Sequence, residues 1–399
     1  MPAATLARRP AALLAVALLL ALALIVLLRP APTGSVASLA GSARALPTAS
    51  KLAPKRTTKT RAKVKARAKA KAPRRAPAVR RTQGRAGRVA GKPAARASVT
   101  LDPLAAGAWA LQAINAPAAW ARTTGSPDVV VAVLDTGVDA SHPDLAGALV
   151  PGVDLVSDDG DPADDHGHGT MVAGVIAARA GNGIGTAGLC GRCSVMPVKV
   201  IGADGRGSGA DVAEGVRWAV DHGARVVNFS FVLNAPDAAV ADAIRYAQAQ
   251  GVVVVGAAGN SAETSPVFPA AEPGVVSVAA TDEGNAPYAW SGRGSWVRVA
   301  APGCAPAPVA GGSYATVCGT SAATAVVSGL VALGLSARPG AGAGEVVRAL
   351  EGGAVPIGDA VATGRVDAGR TVDLLAPAAP AAAVQARQPG RPLLAFDPA

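Results

Sequence analysis

Four short runs constrain the fold of this chain more than any other feature: VVVAVL (129–134), ARVVNFSF (224–231), GVVVVGAA (251–258) and GVVSVAA (274–280). Each is rich in β-branched residues, and none alternates apolar with polar positions. A strand with one wet face alternates. A strand that does not is covered on both sides, as in a parallel sheet flanked by helices. Helical patterns lie between the runs. DVAEGVRWAVDHG (211–223) places Val212, Val216, Ala219 and Val220 on one stripe and ends at Gly223, and AAVADAIRYAQAQG (238–251) ends in the same way at Gly251. The alternation predicts an α/β fold, a three-layer αβα domain with a mostly parallel central sheet and right-handed crossovers. In such sheets binding groups collect beyond the carboxyl ends of the strands.

This pattern occupies only part of the chain. Residues 1–101 hold 22 of the 38 Lys and Arg and none of the 27 Asp and Glu, leaving 16 basic against 27 acidic residues in the remainder. The formal charge of +11 therefore averages a basic arm with an acidic body. Arg8 and Arg9 precede an uninterrupted apolar run of 18 residues, Ala11 to Leu28. That is longer than the roughly 7–15 residues of a cleaved signal core and close to the roughly 20 that span a bilayer. The nearest fair cleavage site, Ser38-Leu39-Ala40, lies far downstream. Residues 1–30 read as an uncleaved signal anchor in preference to a cleaved signal peptide. Either reading places the body outside the cytoplasm, membrane-anchored at the cell envelope or secreted.

Residues 31–101 combine Ala, Lys, Arg and Pro without an aromatic residue or an acid. Self-repulsion and lack of apolar surface predict a basic disordered linker. Its charge suits an anionic surface such as lipid headgroups or wall polymer. Base stacking has no aromatic to rest on, and export argues against nucleic acid as partner. Residues 377–399 read as an Ala/Pro-rich tail, which leaves 102–376 as the body.

Four motifs in the body fall where chemistry is expected. The first run continues as LDTGVDASHPDL and places Asp135 at a strand's carboxyl end. D-T-G also marks aspartic peptidases, but their dyad needs two copies and the chain has one. Next, DDHGHGTMVAG (164–174) sets His168 at the mouth of a helix, with His166 outside it in an acidic loop. GAAGNS (256–261) presents Asn260 after a buried strand. Finally, CGTSAATAVVSGLVALGL (318–335) places Ser321 at the start of an apolar helix. A serine there is commonly an N-cap, but helix-terminal N–H groups also favour a developing oxyanion.

In the order Asp, His, Asn, Ser, these motifs resemble the subtilisin-like serine peptidases, the subtilases. WALQAINAPAAW (109–120), FPA (268–270) and APG (301–303) extend the resemblance over nearly all of 102–376, which is then a catalytic domain of that fold. The resemblance implies an exported serine endopeptidase acting on protein or peptide substrates. Ser321 would be the nucleophile, His168 the base and Asp135 its orienting partner, with Asn260 and the Ser321 N–H forming the oxyanion hole. Substrate would lie extended between Gly205-Arg206-Gly207 and Ser230-Phe231-Val232. His166 becomes a loop residue near the substrate, and His142 and His222 are structural.

The sequence also departs from the family pattern. Two glycines usual after Ser230-Phe231 are Val232 and Leu233, which implies a narrowed primary specificity pocket. Met171, Ala322, Ala325 and Val326 also replace usual residues. The competing reading is a catalytically weak or inactive subtilase serving as an envelope-anchored peptide-binding module; the four retained positions favour the enzyme. Residues 31–100 do not resemble the folded inhibitory propeptide of the family.

No cofactor is required for this chemistry. A structural calcium is implied by the resemblance at Asp144, Asn182 and the carbonyls of Ile184 and Thr186, although an oxygen ligand expected near the domain's start is missing at Ala105. Four cysteines in an exported chain predict two disulfides, with three connectivities open. Cys304 with Cys318 would close the loop before Ser321, and Cys190 with Cys193 would close a tight one.

Overall fold

The structure is a computed structural model that describes residues 102–376, except 106, 107 and 158, and the backbone of a short strand at Arg44–Ala45. The signal or anchor segment, the rest of the basic linker and the tail lie outside the described residues.

All four runs become strands. The body's strands are β1 (Val130–Asp135), β2 (Val153–Asp154), β3 (Ser194–Lys199), β4 (Val226–Phe229), β5 (Val253–Ala257), β6 (Val276–Thr281), β7 (Val299–Pro302), β8 (Cys304–Val309), β9 (Ser313–Cys318) and β10 (Gly364–Arg365). Eight of them form one sheet in the order β10-β7-β6-β5-β4-β1-β3-β2, and every pairing in it is parallel. β8 and β9 make a separate antiparallel hairpin, and Arg44–Ala45 pairs antiparallel with β9. The central strands are buried almost throughout, as the missing alternation requires. β3 escaped the sequence reading because Pro197 interrupts it. The proline is tolerated because β2 pairs with β3 only at Val198 and Lys199.

Helices cover both faces. They are α1 (Trp109–Ala113), α2 (Ala116–Trp120), α3 (His168–Ala177), α4 (Gly209–Asp221), α5 (Ala238–Ala249), α6 (Thr320–Ala337), α7 (Ala343–Gly353) and α8 (Ala368–Leu375). One apolar cluster joins α3, α6 and the terminal helices to one side of the sheet; another joins α4 and α5 to the other side. α4 and α5 start at side-chain caps, Ser208 and Asp237, and Gly223 and Gly251 follow them with φ of +90° and +76°, a conformation glycine adopts without strain. The segment 109–120 forms two helices. Asn115 between them is left-handed at φ 56°, and Pro117 fits only in the first turn of α2. α6 is the one described helix long and apolar enough to cross a membrane, and it is buried in the body, at the centre of the larger cluster.

Candidate active site

The sheet order reverses at β1, with β3 on one side and β4 on the other. A crevice opens at such a switch point, beyond the carboxyl ends of the strands. Asp135 is the last residue of β1 and is fully buried. Its Oδ1 accepts from the Thr136 N–H and from His168 Nδ1, each at 2.8 Å. His168 is the first residue of α3 and is buried. The approach depends on Gly169, since a Cβ there would stand 2.1 Å from the Gly137 carbonyl oxygen and 3.2 Å from the Asp135 Cβ. Burial alone would push the imidazole below its ordinary value, but the Asp135 charge, its hydrogen bond and the charge of Asp164 outweigh burial and raise it. With Nδ1–H given to Asp135, Nε2 carries the free lone pair.

Ser321 is the second residue of α6 and is buried. It is not a cap: the N-cap position is Gly319, and no side chain caps the helix. Of the first four N–H groups, those of Thr320, Ala322 and Ala323 are bonded, and that of Ser321 has no hydrogen-bond partner among the described residues and remains available to an anion. The Ser321 hydroxyl donates to the Ser230 carbonyl at 2.8 Å, and among the described residues no hydrogen bond joins it to His168. The hydroxyl's hydrogen bond thus goes to the Ser230 carbonyl rather than to the imidazole. Ser230 is itself held. Its hydroxyl donates to the Ser321 carbonyl and accepts from Asn228 Nδ2, and Asn228 Oδ1 accepts from Ser328 on α6. The β4 end and α6 are therefore locked through four buried polar residues.

Asn260 follows β5. Its Oδ1 accepts from the Thr320 N–H at 2.8 Å and the Thr320 hydroxyl at 2.9 Å, so its amide nitrogen is the end left to donate. A Cβ on Gly319 would lie 3.4 Å from that nitrogen and 3.7 Å from the Ser321 N, so a small space beside Gly319 is bordered by both donors.

The two segments expected to flank a substrate lie nearby. Gly205 is buried, and a Cβ on it would be 3.6 Å from His166 Nε2, so His166 borders that segment; its ring centroid is 6.5 Å from that of His168. Arg206 is exposed and Gly207 half-buried. Ser230 and Phe231 are buried, Val232 is half-buried, and Leu233 donates its N–H to the Phe268 carbonyl. His142 accepts from the Asp144 N–H at Nδ1 and contacts the Ser313 carbonyl through Nε2, a structural placement. His222 is exposed and stacks on Trp218.

The candidate cation loop is tightly wound. Asp144 Oδ1 accepts from Asn182 Nδ2 and Oδ2 from the Thr186 N–H. Asn182 Oδ1 accepts from the Ile184 N–H. Asp102, absent from the sequence reading, accepts from the N–H groups of Gly181 and Gly183 and supplies a carboxylate where an oxygen was expected at Ala105. Burial and the nearby Asp102 charge raise Asp144 above the ordinary carboxylate range, against the bonds from Thr186 and Asn182. Burial and the same two carboxylates push the Tyr314 phenol up to about 12. Neither Asp102 nor Asp144 has an ion-pair partner among the described residues. Two buried carboxylates without a cationic partner are oxygen donors of the kind a hard cation takes. The set fits calcium.

Both short-range cysteine pairs are disulfides, Cys190–Cys193 and Cys304–Cys318. The second links directly opposed residues of β8 and β9, and ends three residues before Ser321.

The sequence model of the Subtilase family matches residues 126–363, and the chain belongs to that family. Thermitase of Thermoactinomyces vulgaris is 39% identical over 267 residues, which cover 65% of this chain and 94% of that protein. The halolysin-like extracellular serine protease Nep of Natrialba magadii is 37% identical over 279 residues, 67% of this chain and 51% of its own length. Among solved structures, a protease from Pseudoalteromonas arctica PAMC 21717 matches with a TM-score of 0.65 at 31% identity, covering 70% of this chain and 100% of that one.

Proposed function

We propose that the chain is an exported serine endopeptidase whose catalytic groups are Asp135, His168 and Ser321. The observation that carries this reading is the buried 2.8 Å contact between His168 Nδ1 and Asp135 at the switch point of the sheet. It leaves Nε2 unprotonated toward the crevice, in the state a general base needs.

An alcohol is a poor nucleophile at neutral pH unless a base takes its proton during attack. On substrate binding, Ser321 leaves the Ser230 carbonyl, transfers its proton to His168 Nε2 and bonds to the peptide carbonyl carbon. Asp135 stabilises the resulting imidazolium. The carbonyl oxygen, now negative, takes hydrogen bonds from Asn260 Nδ2 and the Ser321 N–H. His168 passes its proton to the leaving amine; water then repeats the sequence on the acyl-enzyme. The peptide lies extended between 205–207 and 230–232. Val232 and Leu233 narrow the pocket for the residue before the scissile bond and favour small side chains there.

The apolar run near the N-terminus, the two disulfides and the extracellular description of the Natrialba relative support export. Asp102, Asp144, Asn182 and the carbonyls of Ile184 and Thr186 would hold a calcium ion, which would supply a positive charge to the 180–186 loop and take no part in the chemistry. Labelling with a sulfonyl fluoride tests the assignment. A single adduct on Ser321, lost in Ser321→Ala and His168→Ala, is expected. An intact chain that cleaves no peptide and takes no label would instead be the peptide-binding module.

A further inference from the structure

We propose that Asp164 is a positioning residue for the catalytic groups: its carboxylate fixes the separation of Asp135 and His168 and keeps a second negative charge behind the imidazole. The inference rests on the triad reading above.

Asp164 is four residues before His168, in the loop that enters α3. Its Oδ1 accepts from the Thr136 hydroxyl at 2.8 Å and from the N–H groups of Gly167 and His166 at 2.7 and 3.1 Å. Its Oδ2 accepts from the Thr170 N–H at 2.9 Å and from the Thr170 hydroxyl. The partners are the residue after Asp135 and residues on both sides of His168. Both hydroxyls are used twice. Thr136 Oγ1 also accepts from the Gly169 N–H, and Thr170 Oγ1 from the Asp139 N–H, each at 2.9 Å. Each threonine therefore bridges one loop to the other through the same carboxylate.

Gly167, the N-cap of α3, has no side chain to satisfy the first N–H groups. Asp164 does this from three residues further back, and the positive end of the helix favours its charge. Among the described residues it has no cationic partner. Five neutral donors surround the charge without cancelling it, so it acts on His168 and helps raise the imidazole. The other charged or titratable groups around His168 are Asp135 at the end of β1, His166 on the shared loop, and Lys199 at the end of β3, whose ammonium sits on the Thr136 carbonyl and Asp165. Asp204 and Arg206 are exposed in the turn beside His166. α6 brings no acidic or basic side chain, its sequence from Thr320 to Ala337 containing none. Asp164 is the second carboxylate in this set whose charge raises the imidazole.

The test is Asp164→Asn, read in two ways. The His168 ring titration is followed by NMR in a Ser321→Ala background and assigned with His168→Ala; it needs no activity. Its midpoint is expected to fall, because the imidazolium has lost a favourable charge. In the otherwise native enzyme kcat is expected to fall by about tenfold or more with KM nearly unchanged, as for a displaced catalytic group. Asp164→Glu should return part of both. An unmoved midpoint, or an unchanged kcat, overturns the proposal. If Asp164→Asn does not fold, Thr136→Val and Thr136→Ser decide: Val should lower kcat and Ser restore it, and a Val variant with native kcat overturns the proposal. Failure of the triad reading looks different, as a wild-type protein without peptidase activity or label.

Discussion

Asn260 is gripped by its oxygen. Thr320 donates to Asn260 Oδ1 through both its N–H and its hydroxyl, at 2.8 and 2.9 Å. An amide flipped the other way would face these two donors with its own, so the grip determines which end points at the space beside Gly319. Thr320→Val keeps one of the two bonds and loosens the amide; kcat is expected to fall several-fold with KM nearly constant, and Thr320→Ser to recover. Asn260→Ala should cost about 10²–10³ in kcat, a magnitude that comes from subtilisin and not from this geometry. Peptide hydrolysis kinetics on the three variants decide the matter; equal losses in kcat and affinity would count against an oxyanion role.

The raised imidazole of His168 makes activity and stability respond to pH in opposite senses. The proposed base works only when neutral, so kcat/KM should fall as pH drops through a limb lying above 6.5, the ordinary histidine value. Stability follows protonation in the folded state. A histidine raised on folding contributes fully below its unfolded value, and the contribution is lost as pH rises through the folded one. Asp135→Asn should move the limb downward and cost about 10⁴ in kcat through the wrong tautomer. A pH–rate profile paired with thermal melts at each pH tests both signs.

Calcium removal should lower the melting temperature without altering the active-site geometry. A ligand present at 100 times its Kd stabilises the folded chain by about 2.7 kcal/mol. Asp102→Ala should weaken calcium binding in a titration and reduce the difference between melts in calcium and in chelator. A melting temperature indifferent to chelator in the native chain would remove the metal from the account.

The proposed narrowing of the pocket by Val232 and Leu233 predicts a substrate preference. Peptides with Ala before the scissile bond should be cleaved faster than those with Phe. Restoring glycine at both positions should shift the ratio towards Phe by about tenfold or more, since one badly fitted methylene is worth about 1–3 kcal/mol. Faster cleavage of the Phe peptide by the native chain would contradict the narrowed pocket.

The β-branched runs and glycine stops were legible because burial on both faces and left-handed helix ends each leave a one-residue mark on the sequence. The same holds for Asp135, His168, Asn260 and Ser321, whose places at strand and helix ends match the structure. Other features depend on partners distant in the chain. Asp102 meets a loop some 80 residues later, and nothing in its neighbours marks that meeting. The Ser328–Asn228–Ser230–Ser321 lock joins a strand end to a helix that appear in the sequence only as apolar runs. Asp164 did carry a signal, an acid just ahead of a helix start, but the loop holds several acids and only coordinates single it out.

α6 carries Ser321, the proposed nucleophile, in its first turn and runs on, buried, against β4, β5, β6 and β7. On that reading the rod that presents the reactive alcohol is also the central pillar of the molecule, so neither task can be given up alone. A lesion that loosens the pillar extinguishes turnover at the same moment, and a clipped fragment without it retains neither shape nor reactivity. Heat inactivation of such a body ought to track its cooperative melting, with no long-lived folded but inert form in between.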